Sequence, residues 1–164
     1  MKKLYLIGGT MGVGKTTTCQ VLIHKLNQSV FLDGDWCWDS HPFQVTNETK
    51  KIVMDNICYM LNNFIHCSCY DHIIFCWVMH QQEIINEILS KLDIDDVKVI
   101  NISLVCNEQA LVKRLSLDVE KGIRNKEVIA KSVERVAMYD QLDTIKIDVS
   151  DKDIETVADE IIKL

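Results

Sequence analysis

The chain has 164 residues, a length that suits one domain around a single core. Its 48% hydrophobic and 26% charged residues are ordinary for a globular protein, and its net charge of −6 argues against a general binder of nucleic acid. No apolar run approaches the roughly 20 residues that span a bilayer, and the run after Met1 is too short for a secretory signal. The seven cysteines lack a disulfide spacing, so we expect a cytoplasmic protein. We further expect a monomer or homodimer without membrane or nucleic-acid partners.

Apolar patterning predicts strands and helices that alternate along the chain. Short apolar or β-branched runs predict five strands, at residues 3–8, 30–32, 72–79, 97–105 and 145–149. Apolar residues at helical spacing predict helices at residues 15–26, 48–65, 81–92, 108–117 and 126–139. Ser150 and Asp153 resemble a capping box that opens a last helix. Strands without polar alternation, each followed by a helix, predict one α/β domain over residues 1–164, with a parallel sheet covered on both faces.

A glycine-rich stretch follows the first strand and precedes the first helix. It reads GTMGVGKT, from Gly9 to Thr16, and fits the phosphate-binding pattern G-x-x-x-x-G-K-[ST] in full. Glycines let backbone N–H groups turn toward a phosphate, Lys15 can reach the β- and γ-phosphates, and the Thr16 hydroxyl can ligate Mg²⁺. The predicted nucleotide contacts in this stretch are Gly9, Gly12, Val13, Gly14, Lys15, Thr16 and Thr17. We expect ATP and Mg²⁺ as the cofactors.

Such a loop leaves open whether the γ-phosphate is transferred, or hydrolysed to drive a switch or a motor. The chain has no D-x-x-G after a strand and no N-K-x-D, the two motifs of a GTP switch. Its third strand, HIIFCWVM, lacks the terminal acid of a hydrolytic ATPase, and the chain is short for a motor. Transfer to a small molecule is therefore favoured by elimination.

Acidic residues follow the second strand, in the stretch FLDGD. Because the carboxyl ends of parallel strands lie along one edge of a sheet, Asp33 and Asp35 should face the glycine-rich loop. One carboxylate there can accept a proton from, or orient, an attacking hydroxyl, and the other can hold Mg²⁺ through water. The alternative is an ordinary Asp-Gly turn.

GTMGVGKTT followed by FLDGD resembles the small P-loop kinases of metabolites, such as shikimate, gluconate and adenylate kinases. The resemblance implies a three-layer αβα P-loop NTPase fold, with a five-stranded parallel sheet in the order 2-3-1-4-5 and a small lid, here near residues 118–126. It also implies that Asp35 binds the acceptor hydroxyl and that Asp33 assists it and Mg²⁺. The identity of the acceptor does not transfer, because His41-Pro42 lies several residues further from the acids than in gluconate kinase.

The three arginines all lie between the fourth and fifth predicted strands. The resemblance implies that Arg114 stacks near the nucleotide base and that Arg124 is a catalytic lid arginine. Arg135 matches a second nucleotide-binding lid arginine, although a solvated helix position explains it equally well. A planar guanidinium suits these roles because it binds phosphate oxygens and keeps its charge.

The remaining candidates are aromatic or imidazole side chains. Trp36 and Trp38 could form a wall of the acceptor pocket or pack under the next helix, and His80 could contact the substrate. Trp77 lies within a predicted buried strand and is interpreted as core. These features favour a kinase of a hydroxyl-bearing small molecule; a nucleoside monophosphate kinase and an ATP-binding regulatory protein without phosphotransfer are the alternatives.

One cysteine–histidine cluster raises the question of zinc. His66, Cys67, Cys69 and His72 lie within seven residues, but the C-x-C spacing is unlike that of common zinc sites. The interpretation favoured here is a helix end, a loop and the start of a strand.

Overall fold

The structure is a computed structural model that describes residues 1–164. The five strands are β1 (Lys2–Gly8), β2 (Ser29–Asp33), β3 (His72–Cys76), β4 (Val97–Val105) and β5 (Ile145–Asp148). The six α-helices are α1 (Lys15–Lys25), α2 (Asn47–His66), α3 (Gln82–Ser90), α4 (Glu108–Glu120), α5 (Glu127–Val136) and α6 (Ile154–Ile162). Short 3₁₀ turns occur at Gly34–Cys37 and Ala137–Gln141.

The sheet is entirely parallel and has the strand order β2-β3-β1-β4-β5, which confirms the predicted topology. Each strand continues into a connection at the same edge of the sheet, as parallel strands require. The glycine-rich loop, the acidic stretch after β2 and the segment after β3 therefore lie side by side. This edge carries the candidate site.

Helices cover both faces of the sheet, and alternate residues of β1 divide between two apolar cores. Leu4 and Leu6 pack in the core formed with α2 and α3. Tyr5 and Ile7 pack in the core formed with α1, α4 and α6. A strand that is buried on both faces needs apolar residues at every position, which explains why β1 has no polar alternation.

Three element ends differ from the prediction by three residues, and the other predicted ends differ by two or fewer. β3 ends at Cys76 rather than at residue 79, because its pairing with β1 stops at Ile7 and its pairing with β2 stops at Asp33. The helix predicted to reach residue 139 changes to a 3₁₀ turn after Val136. α4 extends to Glu120, so residues 121–126 connect α4 to α5.

The capping box predicted for Ser150 and Asp153 is wrong. Asp153 alone caps α6, since its side chain accepts a hydrogen bond from Thr156 N. The Ser150 hydroxyl instead donates to Asp148 Oδ1 and accepts from Asn107 N, and so joins the loops after β4 and β5.

The seven cysteines are free thiols, four of them buried. His66, Cys67, Cys69 and His72 do not form a group that could hold a metal ion. His66 Nε2 instead lies 3.1 Å from Asp93 Oδ2. No helix in the structure combines the length and apolar character that crossing a membrane requires.

Candidate active site

The glycine-rich loop forms a compact turn between β1 and α1. Gly12 has φ 85°, and a Cβ at this position would lie 2.4 Å from Leu115 Cδ2, so only glycine fits. Gly14 is the N-cap of α1, so the positive end of the helix faces the space enclosed by the loop. Gly9 and Val13 are buried and Thr17 is exposed, which places Thr17 at the outer rim of the turn.

Lys15 is the first residue of α1, and its side chain extends back across the loop. Its Nζ donates to the Thr10 carbonyl at 3.1 Å. Burial lowers the pKa of Lys15, and the neighbouring Asp35 and Asp33 carboxylates act in the opposite direction. A partly desolvated ammonium group next to two carboxylates is prepared to interact strongly with an anion that enters the loop.

Thr16 and Asp33 bring two oxygen ligands together. The Thr16 hydroxyl donates to Asp33 Oδ2 at 2.6 Å, although Thr16 lies in α1 and Asp33 is the last residue of β2. Asp33 is 5% exposed, and its Oδ1 accepts from Asp35 N at 3.0 Å. A hydroxyl and a carboxylate are hard oxygen donors of the kind that Mg²⁺ prefers, so these residues fit a magnesium ion bound with a nucleotide.

Asp35 lies in the 3₁₀ turn that follows β2. One carboxylate oxygen, Oδ1, accepts a hydrogen bond from Trp77 Nε1 at 3.2 Å. Desolvation of its carboxyl group and the nearby Asp33 carboxylate raise the pKa of Asp35, while Lys15, the Trp77 hydrogen bond and Arg124 lower it. Asp35 is exposed as a residue, although its carboxyl group is partly desolvated.

The three tryptophans have different environments. Trp38 is half-buried and packs edge-on against Trp77 and Phe43, with ring centroids 5.9 Å and 5.0 Å apart respectively. Trp36 is 58% exposed and contacts Phe31 edge-on. Trp38 therefore belongs to an aromatic group next to Asp35, and Trp36 leaves much of its ring free. Sequence reasoning assigned Trp77 to the core, and it missed the indole N–H, which a buried tryptophan must pair with an acceptor.

Arg124 lies in the connection between α4 and α5. Its Nε donates to Asp118 Oδ2 at 3.1 Å, an ion pair whose side chains are each about one-third exposed. This ion pair ties the connection to α4. The Arg124 charge acts to lower the pKa values of Lys15 and Asp35, but less than desolvation shifts either group.

Arg114 occupies a different part of the site. Its guanidinium donates to the carbonyl oxygens of Val13 at 3.2 Å and Val149 at 2.7 Å, and so joins the glycine-rich loop to the segment after β5. A cavity of about 320 Å³ opens there, behind the loop. Its lining includes Gly12, Gly14, Arg114, Val149, Lys152 and Ile154.

The next candidates are His80, which follows β3, and Arg135, on α5. Burial lowers the pKa of His80, and the charges of Arg135 and Lys131 act in the same direction. The Nδ1 atom of His80 is buried and lacks a hydrogen-bond partner within the protein. Arg135 is half-buried on α5, a helix that is also joined to the glycine-rich loop by a bond from the Thr10 hydroxyl to Ser132 O at 3.0 Å. Sequence reasoning did not find this Thr10 contact, since no local pattern marks it.

A family model described as AAA domain matches residues 6–134, most of the chain. No curated protein matches the sequence. Among solved structures, a gluconokinase from Sinorhizobium meliloti 1021 has a TM-score of 0.72 at 12% identity, over 98% of this chain and 90% of the other.

Two further solved structures show the same fold. A tunicamycin resistance protein from Deinococcus radiodurans has a TM-score of 0.73 at 17% identity, over 99% of this chain and 95% of the other. A shikimate kinase from Aquifex aeolicus has a TM-score of 0.60 at 20% identity, over 98% of this chain and 94% of the other. The chain therefore belongs to the AAA domain family, and its fold is that of the small P-loop metabolite kinases.

Proposed function

We propose that the protein is an ATP- and Mg²⁺-dependent phosphotransferase that acts on a hydroxyl group of a small molecule. The observation that carries the proposal is a hydrogen-bonded link between the glycine-rich loop and the acidic stretch: the Thr16 hydroxyl donates to Asp33 Oδ2 at 2.6 Å, and Asp35 N donates to Asp33 Oδ1 at 3.0 Å. This link supports a proton acceptor, Asp35, beside the phosphate site, where Lys15 and Arg124 would supply the cations that bind a phosphoryl group in transfer.

The glycine-rich loop, α1 and Lys15 would bind the phosphates of ATP. Thr16 would ligate Mg²⁺ and Asp33 would hold it directly or through water, a pairing supported by their 2.6 Å hydrogen bond. The bound metal would neutralise charge on the β- and γ-phosphates. The cavity lined by Arg114 and the segment after β5 would receive the nucleoside. Arg135, on α5, would act as a second lid arginine that binds the phosphates of the nucleotide.

Asp35 would orient the acceptor hydroxyl and accept its proton. A bond forms between the acceptor oxygen and the γ-phosphorus, the bond from that phosphorus to the β–γ bridging oxygen breaks, and ADP leaves. Arg124 would stabilise the charge on the transferred group, a contribution on the order of 10³-fold for an arginine placed in cis. Its ion pair with Asp118 would fix its direction before ATP binds.

The acceptor side of the site, formed by Asp35, Trp38, Phe43 and Trp77, favours a hydroxyl-bearing compound as the acceptor over a nucleoside monophosphate. α2, next to the acceptor side, carries no arginine to bind a monophosphate. Its Lys51 is paired with Asp55 at 2.5 Å, and Lys50 is exposed. The aromatic group of Trp38, Phe43 and Trp77 would offer an apolar surface instead. The names of similar structures, which include a gluconokinase, a sugar kinase and shikimate kinases, support a small-molecule acceptor.

We further propose a cytoplasmic location, in keeping with seven free thiols.

A screen for acceptor-dependent ADP release tests the proposal. Purified protein with Mg²⁺ and ATP is supplied in turn with nucleosides, nucleoside monophosphates, sugars, sugar acids and aminoglycosides. We expect a hydroxyl-bearing compound to stimulate ADP release and to gain a phosphate detectable by mass spectrometry. Stimulation by a monophosphate alone would show a nucleotide kinase, and ATP binding without stimulation by any compound would indicate a regulatory ATP-binding protein.

A further inference from the structure

We propose that Trp77 is a positioning residue for Asp35: its indole N–H binds one carboxylate oxygen, so that the other oxygen faces the acceptor. The role in transfer rests on the proposed function of Asp35, whereas the contact itself can be tested without any activity. Trp77 follows β3, outside the glycine-rich loop and the acidic stretch, and no sequence motif includes it.

The hydrogen bond is specific in its geometry. Trp77 Nε1 lies 3.2 Å from Asp35 Oδ1, across 42 positions of the chain. The Trp77 side chain is a donor only, so it can bond the carboxylate but cannot exchange protons with it. Asp35 N also donates to Asp33 Oδ1 at 3.0 Å. Asp35 is thus fixed at its backbone by Asp33 and at its side chain by Trp77.

The acidic stretch is shaped to fit the indole ring. A Cβ on Gly34 would lie 2.6 Å from Trp77 Cγ and 2.7 Å from Trp77 Cδ1, so any side chain between the two aspartates would collide with the ring. Trp77 is 8% exposed, and Trp38 packs edge-on against it. The ring is therefore held on two sides, which fixes the direction of its N–H bond.

This arrangement has a chemical consequence for Asp35. A free aspartate rotates about its side-chain bonds, whereas the bond from Trp77 holds the Asp35 carboxylate in one orientation and leaves Oδ2 for a ligand. A hydrogen bond to a charged acceptor is also stronger than one between neutral groups, so it holds that orientation more firmly. Loss of the bond should lower the rate of transfer about tenfold to a hundredfold, the range for a hydrogen bond to a charged group.

Nuclear magnetic resonance of the indole N–H groups tests the contact directly. The chain has three tryptophans, so a ¹⁵N-labelled sample gives three indole signals, and Trp77→Phe identifies the one from Trp77. We expect this signal to exchange slowly with solvent in the ligand-free protein, and to move upfield and exchange faster in Asp35→Ala, which removes the acceptor oxygens. A Trp77 signal that keeps its position and its exchange rate in Asp35→Ala would overturn the proposal.

Steady-state kinetics of Trp77→Phe test the consequence. We expect kcat to fall about tenfold or more while the KM for MgATP stays near its original value. Tyr139→Phe is the matched control, since it removes the hydroxyl that donates to the carbonyl of the adjacent Val78 without touching Asp35. We expect Tyr139→Phe to lower thermal stability and to leave kcat near its original value.

The two measurements separate the possible failures. If no acceptor is phosphorylated while the Trp77 signal responds to Asp35→Ala, the proposed function is wrong and the contact is real. If transfer occurs and Trp77→Phe does not lower kcat, Trp77 is only a packing residue and the inference is wrong. An equal fall of kcat in Tyr139→Phe would likewise contradict a specific role for Trp77.

Discussion

The two sides of the candidate site are built by different means. On the nucleotide side, backbone geometry dominates: glycines at positive φ and the start of α1 shape a loop with a single long side chain, Lys15, across it. On the acceptor side, side chains dominate, since Trp77 donates to the Asp35 carboxylate and packs against Trp38, which packs in turn against Phe43. A phosphate is the same in every nucleotide, so a backbone site serves it, whereas acceptors differ and require particular side chains.

The largest expected effect is on the nucleotide side. Lys15→Ala removes the ammonium group that would bind the β- and γ-phosphates, and we expect phosphotransfer to fall on the order of 10³-fold. The rate is measured as ADP release at saturating acceptor, with thermal denaturation to check the fold. Lys113→Ala, at an exposed position of α4, is the control of equal charge change. Retention of more than about a tenth of the activity by Lys15→Ala would contradict the assignment.

A somewhat smaller effect is expected at Arg124, in the connection between α4 and α5. Arg124→Ala removes the guanidinium that would stabilise the transferred group, and we expect kcat to fall about 10²- to 10³-fold. Arg124→Lys keeps the charge but loses the planar fork, so it should recover only part of the rate. Full activity in both variants would place Arg124 outside the chemistry.

The pairing of Thr16 with Asp33 predicts a change in the dependence on Mg²⁺. Asp33→Asn keeps the size of the side chain and removes its charge, so the Mg²⁺ concentration for half-maximal activity should rise about tenfold or more. The measurement is a titration of activity with Mg²⁺ at fixed ATP. Asp39→Asn, a charge removed from an exposed position beyond the 3₁₀ turn, should leave that concentration unchanged. An unchanged Mg²⁺ dependence in Asp33→Asn would contradict the metal assignment.

A pH effect on the acceptor side follows from the environment of Asp35. Desolvation and the Asp33 carboxylate raise its pKa above the 3.8 of a free aspartate. Asp35 acts as a carboxylate, so the rate should rise with pH through this raised pKa, and the acidic limb of kcat should lie above pH 3.8. A pH–rate profile for the acceptor that phosphotransfer assays identify gives the midpoint. A limb at or below the value of a free aspartate would contradict the assigned environment.

The same shift predicts a small effect on stability. A folded-state pKa above the unfolded value means that ionised Asp35 destabilises the folded protein, and that this cost appears as pH rises through the raised pKa. Asp35→Asn keeps an oxygen that can accept from Trp77 and removes the repulsion with Asp33. We therefore expect a modest rise in Tm at neutral pH, and little difference at a pH below the pKa. A lower Tm at neutral pH would contradict this account of the site.

The two sides also differed in how far the sequence could predict them. The loop from Gly9 to Thr16 was complete as a local pattern, and the strand order followed from the resemblance that this pattern and FLDGD support. The bond from Trp77 to Asp35 joins positions 42 apart, so no local spacing could have shown it. The end of β3 at Cys76 was missed for a related reason, because a strand ends where its neighbours stop pairing rather than where its apolar run stops.

The central claim is that Asp35 serves phosphotransfer and that the glycine-rich loop binds ATP independently of it. The most direct test compares MgATP affinity and transfer rate in Asp35→Asn, by calorimetry and by product formation with the acceptor. We predict that the affinity for MgATP stays within about threefold while transfer falls on the order of 10³-fold. Full transfer activity in Asp35→Asn, with the fold intact, would contradict the claim.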